Sequence, residues 1–325
     1  MTVQLTKPVA APTPLASVEA IIAGLASVGY IASRRIATAL FMAQHLSKPV
    51  LVEGTAGVGK TELAIATATL LDLPLIRMQC YEGLDESKAL YEWKYGKQLL
   101  YTQILKDRMG ESLAGAATME AAMDRLHGMG DMFFSEPFME PRPILKALQS
   151  ERGCVLLIDE IDKSDEAFEA FLLEVLADFQ VTVPELGTVK AAHPPIVVIT
   201  SNRTREIHDA IKRRCLYHWV GFPNAERELA IVRTKVPGIG AALSEQVVHF
   251  VQSLRKQDLF KAPGVAETLD WASALSELDV VALDPATVAD TLGVLLKYQD
   301  DIARIDGGKA KELLEELRAS LRAAE

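Results

Sequence analysis

The chain reads as an α/β protein: a parallel sheet flanked by helices, followed by a smaller all-helical unit. Three observations predict this. Apolar runs of strand length at 49–52 ("PVLV"), 154–158 ("CVLLI") and 195–199 ("PIVVI") have the continuous pattern of strands buried on both faces. Helical patterns separate those runs. From Phe222-Pro223 onward only helical patterns recur.

Taken in order, "MTVQLTKPVAAPTPLAS" carries three prolines and no apolar stretch ahead of a cleavage site, so it reads as a disordered lead-in rather than a signal peptide. Two helices follow, at 17–29 and 33–47, the second with Ile36, Leu40, Ala43 and Leu46 at helical spacing. "LVEGTAGVGKTELA" at 51–64 then joins a strand to a helix through a glycine-bordered loop. "PLIRMQC" at 74–80 reads as a second strand. The stretch 81–109 mixes a turn, aromatic residues that suggest a hairpin, and a helix. A small-residue helix is expected at 112–130, and another at 141–151 with Pro143 in its first turn. The run 154–158 ends on Asp159-Glu160, and a capping box opening at Ser164 is expected before the next helix. "FQVTVPELGTVKA" alternates around Pro184 to Gly187 and reads as a β-hairpin. The strand "PIVVITSN" follows, then "HDAIKRRCLYHW" with its paired arginines. Helices are expected over 224–236, 244–257, 265–278, 285–299 and 309–324. The expected organisation is a lead-in at 1–16, an α/β unit at 17–221 and a helical unit at 222–325.

Composition narrows the classes of function. A chain of 325 residues with 49% hydrophobic and 24% charged residues is ordinary for a globular protein. A net charge of −10, with no lysine-rich stripe carrying interleaved aromatics, argues against nucleic acid as a direct partner. No membrane span is expected, since Asp72 interrupts even "LAIATATLLDLPLI". Three distant cysteines, Cys80, Cys154 and Cys215, suit buried thiols in a reducing cytoplasm better than a disulfide framework or a metal site.

The chemistry lies in the motifs. Gly54-x-x-x-x-Gly59-Lys60-Thr61 has the spacing of a phosphate-binding loop, whose backbone N–H groups turn inward around an anion. The loop residues Gly54, Thr55, Ala56, Gly57, Val58, Gly59, Lys60, Thr61 and Glu62 are therefore expected to hold a nucleotide. The helix that starts there adds its free N–H groups and positive dipole end. Hydrolysis of a nucleoside triphosphate such as ATP needs charge neutralisation, a metal, an oriented water and a transition-state stabiliser. Lys60 is expected at the β and γ phosphates, with Thr61 and Asp159 as the Mg2+ ligands, Asp159 through water. Glu160 is the candidate general base. Asn202, at a strand tip, can hold the attacking water from the other side, although an asparagine there is also an ordinary turn former. Arg213 and Arg214 read either as exposed cations at a helix end or as an arginine finger for a neighbouring subunit.

In this order, the P-loop, Asp159-Glu160, Asn202, the paired arginines, Phe222-Pro223 and a helical lid resemble the AAA+ ATPases. The hairpin ahead of Asn202 resembles the pre-sensor 1 insertion of one large clade. Within it the chain is similar to the MoxR family. "YEGLDESKALYEWKYGKQLLYTQ", "FSEPFMEPRPILKAL" and "DAIKRRCLYHW" resemble the CoxD-type members known from gene clusters for molybdenum-containing carbon monoxide dehydrogenase. The resemblance spans roughly residues 17 to 300. It implies a hexameric ring with ATP and Mg2+ between subunits, remodelling activity, and a partner with a von Willebrand factor A (VWA) domain. Its implied client is a metalloenzyme whose active site is being matured. It also implies that Gly29, Tyr30 and Ile31 contact adenine, that Arg214 is the finger with Arg213 beside it, and that 91–101 lies in a helix-2 insert. Relatives carry a sensor 2 arginine early in a lid helix, where this chain has Ala266; Lys261 and Arg255 are the candidate replacements. The alternatives are a switch or scaffold in which ATP binding sets assembly, and a small-molecule kinase on the same P-loop.

Overall fold

A computed structural model describes residues 15–114, 135–183, 187–306 and 308–324. The lead-in through residue 14, the part of the 112–130 helix beyond Ala114 and the hairpin turn at 184–186 lie outside the described residues.

The centre of the molecule is a five-stranded parallel sheet in the order β2-β5-β8-β1-β9. Its strands are β1 (Val50–Gly54), β2 (Leu75–Gln79), β5 (Val155–Asp159), β8 (Ile196–Ser201) and β9 (Leu216–Val220). Two antiparallel pairs complete the strands: β3 (Tyr91–Trp93) with β4 (Met139–Pro141), and β6 (Gln180–Val183) with β7 (Gly187–Lys190). β1, β5 and β8 are the three apolar runs, and each has a strand on both sides. Successive side chains point to opposite faces, which is why a continuous apolar run serves here. Val50, Val52, Val155, Leu157 and Val198 enter one core beneath α1 (Val18–Ser27), α2 (Arg34–Leu46) and α3 (Lys60–Leu71). Leu51, Leu156, Ile158, Val197 and Ile199 enter a second core on the other face. Each such buried side chain contributes about 1.5–3 kcal/mol relative to its exposure.

The second core is closed by α4 (Glu86–Leu90), α6 (Pro143–Leu148) and α7 (Glu166–Asp178), while α5 (Tyr95–Ala114) precedes β4 in the chain. Pro143 stands at the start of α6, where its missing N–H leaves nothing unpaired. Two local expectations are corrected. Asp165, not Ser164, caps α7: its carboxylate accepts from Phe168 N at 3.1 Å, while the Ser164 hydroxyl donates back to Ile161 O at 2.7 Å. The residue three beyond Ser164 is Ala167, which has no carboxylate to complete a box. The aromatic stretch 91–101 is no hairpin either. Tyr91–Trp93 pairs with distant Met139–Pro141, and the chain turns helical at Tyr95.

β9 was not legible as a strand. It lies at the sheet edge, where Tyr217 and Trp219 are exposed, so it lacks a two-sided apolar run. α8 (Asp209–Arg214) leads into it, and beyond it comes a helical region, α9 (Ala225–Lys235), α10 (Ala241–Leu254), α11 (Val265–Glu277), α12 (Pro285–Leu295), α13 (Gln299–Ile305) and α14 (Gly308–Ala324). These helices from α9 on surround a third core containing Val247, Phe250, Trp271, Leu292 and Leu313. Among the described residues no helix is long and apolar enough to cross a membrane.

Candidate functional site

The carboxyl ends of β1, β8 and β5 lie side by side, which is where parallel sheets present ligand-binding residues. β8 stands between the other two. Asn202, one residue past its end, is therefore held between the loop after β1 and the acids after β5.

The loop's shape follows from its glycines. A Cβ on Gly54 would stand 2.2 Å from the Val220 carbonyl oxygen, so a side chain cannot fit beside β9. Gly59 adopts φ +89, a left-handed conformation open to glycine at little cost, and from it α3 begins. Lys60 is buried and spends all three ammonium donors: on Gly54 O at 2.8 Å, Thr55 O at 2.7 Å and Asn202 Oδ1 at 2.7 Å. Burial pulls its pKa below the usual lysine value, against the attraction of Asp162, Asp159 and Glu160.

Asp159 is buried, and both of its carboxylate oxygens are taken. Oδ1 accepts from Thr200 Oγ1 at 2.6 Å and Thr61 Oγ1 at 3.1 Å; Oδ2 accepts from Arg77 Nη2 at 2.6 Å and Nε at 3.1 Å. Glu160 takes φ +57, an uncommon backbone conformation for a residue with a side chain, costing about 1–3 kcal/mol. The turn lets Glu160 Oε1 accept from Asn202 Nδ2 at 3.1 Å, and Oε2 from Gln79 Nε2 at 2.9 Å and Lys163 Nζ at 2.5 Å. Asp162, also buried, accepts from the Asn202 and Thr204 backbone N–H groups and from the Thr204 hydroxyl. Burial works to raise its pKa, and these hydrogen bonds outweigh it, so the carboxyl lies below the usual range.

A cavity of about 490 Å3 opens over this constellation. Ala56 to Glu62, Asp159, Glu160, Thr200 and Asn202 line its polar end. Gly29, Tyr30, Ile31, Ile65, Ile231, Val265 and Leu269 contribute to the rest. Tyr30 is buried, and burial foremost pushes its phenol up to about 12. The helical region closes the cavity, anchored by Ala266 N donating to Gly57 O at 3.0 Å. The hydroxyl of Thr61 and the carboxylate of Asp159, 3.1 Å apart at the cavity wall, form the all-oxygen donor set that a hard divalent cation takes. Those two residues fit Mg2+.

Most residues expected at the site converge. Gly54 and Thr55 do not line the cavity, though their carbonyls hold Lys60. Arg213 and Arg214 stand exposed at the last turn of α8 and do not line it. Neither Lys261 nor Arg255, the candidate replacements for sensor 2, lines the cavity. Arg255 is spent in a buried pair with Glu228, at 2.6 and 2.7 Å, and Lys261 lies outside the cavity lining. Among the described residues, the cations of the helical region that reach the cavity are Arg227, which donates to Ile31 O at 2.9 and 3.1 Å, and Lys235, which pairs with Glu62 Oε1 at 2.5 Å. Sequence reasoning missed these two, along with Arg77 and Gln79. Each is a polar residue in an ordinary helix or strand pattern, with no spacing to single it out. The three cysteines are buried and free, and burial pushes the thiols of Cys80 and Cys215 up to about 12 and that of Cys154 up to about 11.

The chain is similar to several known proteins. An uncharacterised protein of Staphylococcus haemolyticus, SH1500, is 25% identical over 273 residues, covering 82% of this chain and 89% of its own. Among solved structures, the RuvB Holliday junction branch migration motor of Thermotoga maritima is 18% identical with a TM-score of 0.44, over 86% of this chain and 72% of that one. A putative ATPase from Cytophaga hutchinsonii is 14% identical with a TM-score of 0.44, over 93% of each. The model of the AAA family matches residues 50–220, from the first residue of β1 to the last of β9 and more than half of the sequence. The chain thus belongs to the AAA family, the ATPase family associated with various cellular activities.

Proposed function

We propose that the chain hydrolyses ATP in the presence of Mg2+ and, as a MoxR-type remodelling motor, converts turnover into work on a protein client. The observation that carries this reading is the meeting of Lys60, Glu160 and Asn202 through direct hydrogen bonds, across 142 residues between Lys60 and Asn202. Gly54 to Glu62 cradle the phosphates, and the apolar slot at Tyr30 and Ile31 takes the base. Thr61 and Asp159 hold Mg2+, which supplies charge neutralisation on the phosphates when bound. Glu160 accepts the proton of the attacking water, and Asn202 orients that water from the side of β8. Arg214, with Arg213 beside it, is exposed and therefore free to enter a neighbouring copy's site, which supports a ring, hexameric by family resemblance. We assign residues 17–221 to the nucleotide-binding unit and 222–325 to the lid.

The resemblance of the middle segments to CoxD-type proteins supports a VWA-domain partner and a molybdenum hydroxylase such as carbon monoxide dehydrogenase as client. The buried free thiols suit a cytoplasmic setting. The test is binding and turnover by purified variants. Lys60→Ala is expected to lose binding of a fluorescent ATP analogue. Glu160→Gln is expected to keep it and to turn over at least about 100-fold more slowly. Normal phosphate release by Glu160→Gln would reject Glu160 as the base.

One observation favours a second reading, a nucleotide-dependent switch or scaffold. Ala266 places a methyl group where a sensor 2 cation would stand. Client maturation that survives in the Glu160→Gln protein would select it.

A further inference from the structure

At Asp159 the structure puts a cation where the proposed function needs another one. Arg77 comes from β2, the strand beside β5, in register two residues before Gln79, which faces Asp159. Its guanidinium takes Asp159 Oδ2 through Nη2 at 2.6 Å and Nε at 3.1 Å. Nη2 also donates to Gln79 Oε1 at 3.0 Å, so the side chain is aimed rather than loose. The carboxylate is buried, with its side chain 4% exposed, whereas that of Arg77 is 54% exposed at the sheet edge. The pairing is thus asymmetric. The acid cannot turn to water, but the arginine can swing out to it.

We infer that Arg77 competes with the divalent cation for Asp159, standing as counter-charge to the buried acid until a metal–nucleotide complex arrives. The inference rests on the reading of Thr61 and Asp159 as the Mg2+ site. Three features carry it. Both oxygens of Asp159 are already saturated by Thr200, Thr61 and Arg77, so a new cation must take lone-pair space from one of them. Thr200 and Thr61 are neutral hydroxyls that can reorient in place, whereas a guanidinium carries a full positive charge and only donors. Like charge beside the arriving cation is the repulsive element. Finally, Arg77 has an exit: its edge position exposes half of the side chain to solvent, which hydrates it once displaced. A buried acid left without any counter-charge is costly, so the pairing protects the empty site and sets a threshold of magnesium for closing it.

The test follows binding rather than turnover. A fluorescent ADP analogue is titrated at fixed protein while magnesium is varied from micromolar to tens of millimolar, and the magnesium midpoint of tight binding is read. Arg77→Gln is expected to lower that midpoint roughly three- to tenfold, the exposed position of the charge limiting the effect through screening. Arg77→Lys keeps the charge and is expected to stay within about twofold of wild type. A midpoint that is unchanged or raised in Arg77→Gln overturns the inference, because the arginine would then merely orient the acid. If Arg77→Gln proves unfolded by its melting curve, the lysine variant decides: a raised midpoint shows that the fork geometry matters rather than the charge, and also overturns it. Wild-type protein that ignores the analogue at every magnesium concentration sinks the underlying ATPase reading, which separates the two failures.

Discussion

Asp162 illustrates how a single buried carboxylate organises the site without touching its proposed chemistry. It grips the backbone of Asn202 at 3.2 Å and of Thr204 at 2.9 Å, and so fixes the turn that presents the Asn202 side chain to Lys60 and Glu160. Arg203, between them, takes φ +58, much as Glu160 does at the end of the neighbouring strand. Because these hydrogen bonds hold the folded carboxyl below its unfolded value of about 3.9, its stabilisation is fully present above about pH 4. It is lost as pH falls through the lower folded value. Asp162→Asn is expected to cost about 1–3 kcal/mol at pH 7 and to flatten the acid limb of stability, measured as urea midpoints at pH 3, 4 and 7. An acid limb as steep as that of wild type would remove this role. At this scale, legibility followed motif chemistry. Lys60, Asp159 and Glu160 stand in patterns whose spacing is set by phosphate and metal geometry. Arg77 and Gln79 reach the acids through strand pairing, and Arg227 and Lys235 reach the cavity through helix docking, neither of which leaves a local signature.

At the scale of elements, the helices of the lid are joined by a polar node in an otherwise apolar core. Glu228 of α9, fully buried, accepts from Arg255 just past α10, from Gln252 within α10 and from Thr268 of α11. The Arg255 guanidinium also lies 4.5 Å over the Phe222 ring, at the chain's entry to the helical region. Removing one partner of such a pair strands the other charge in low dielectric. Glu228→Ala is expected to destabilise the lid helices by about 3–5 kcal/mol, read as a lowered thermal midpoint, with Asp159 and Lys60 untouched. An unchanged midpoint would show that water reaches the node. The strands teach a related lesson. β1, β5 and β8 were readable because both faces are buried and their residues are apolar throughout. β9 and β3 were not, since one is a half-wet edge and the other is three residues long and finds its partner 46 residues later.

At the scale of the whole molecule, the exposed Arg213 and Arg214 leave the cavity of their own chain without an arginine from α8. If copies share sites, the defects of two variants lie in different subunits and each can be made good by the other. Mixing Arg214→Ala with Lys60→Ala protein is therefore expected to restore part of the ATPase rate that each lacks alone, measured as phosphate release across mixing ratios. Mixtures no more active than the separate variants would remove support for a shared site. The core beneath α1 to α3 reaches the cavity through Tyr30 and Val58, and the helical region reaches it through Leu269 and through Ala266, whose N–H donates to Gly57 O.

The amino-acid sequence by itself determined the class of fold, the phosphate loop, the acid pair and the helical character of the last hundred residues. Each of these is local: a run of apolar side chains, a spacing of glycines, a period of 3.6. Only the tertiary structure decided which strand stands beside which, and hence that Asn202 lies between lysine and glutamate. It also decided that an edge-strand arginine occupies the buried aspartate and that the helical region brings its cations to the cavity at Arg227 and Lys235, while Ala266 meets the loop only through its backbone N–H. Those outcomes depend on contacts between residues far apart in the chain, whose partners are chosen by packing and burial, and no short stretch of sequence encodes them.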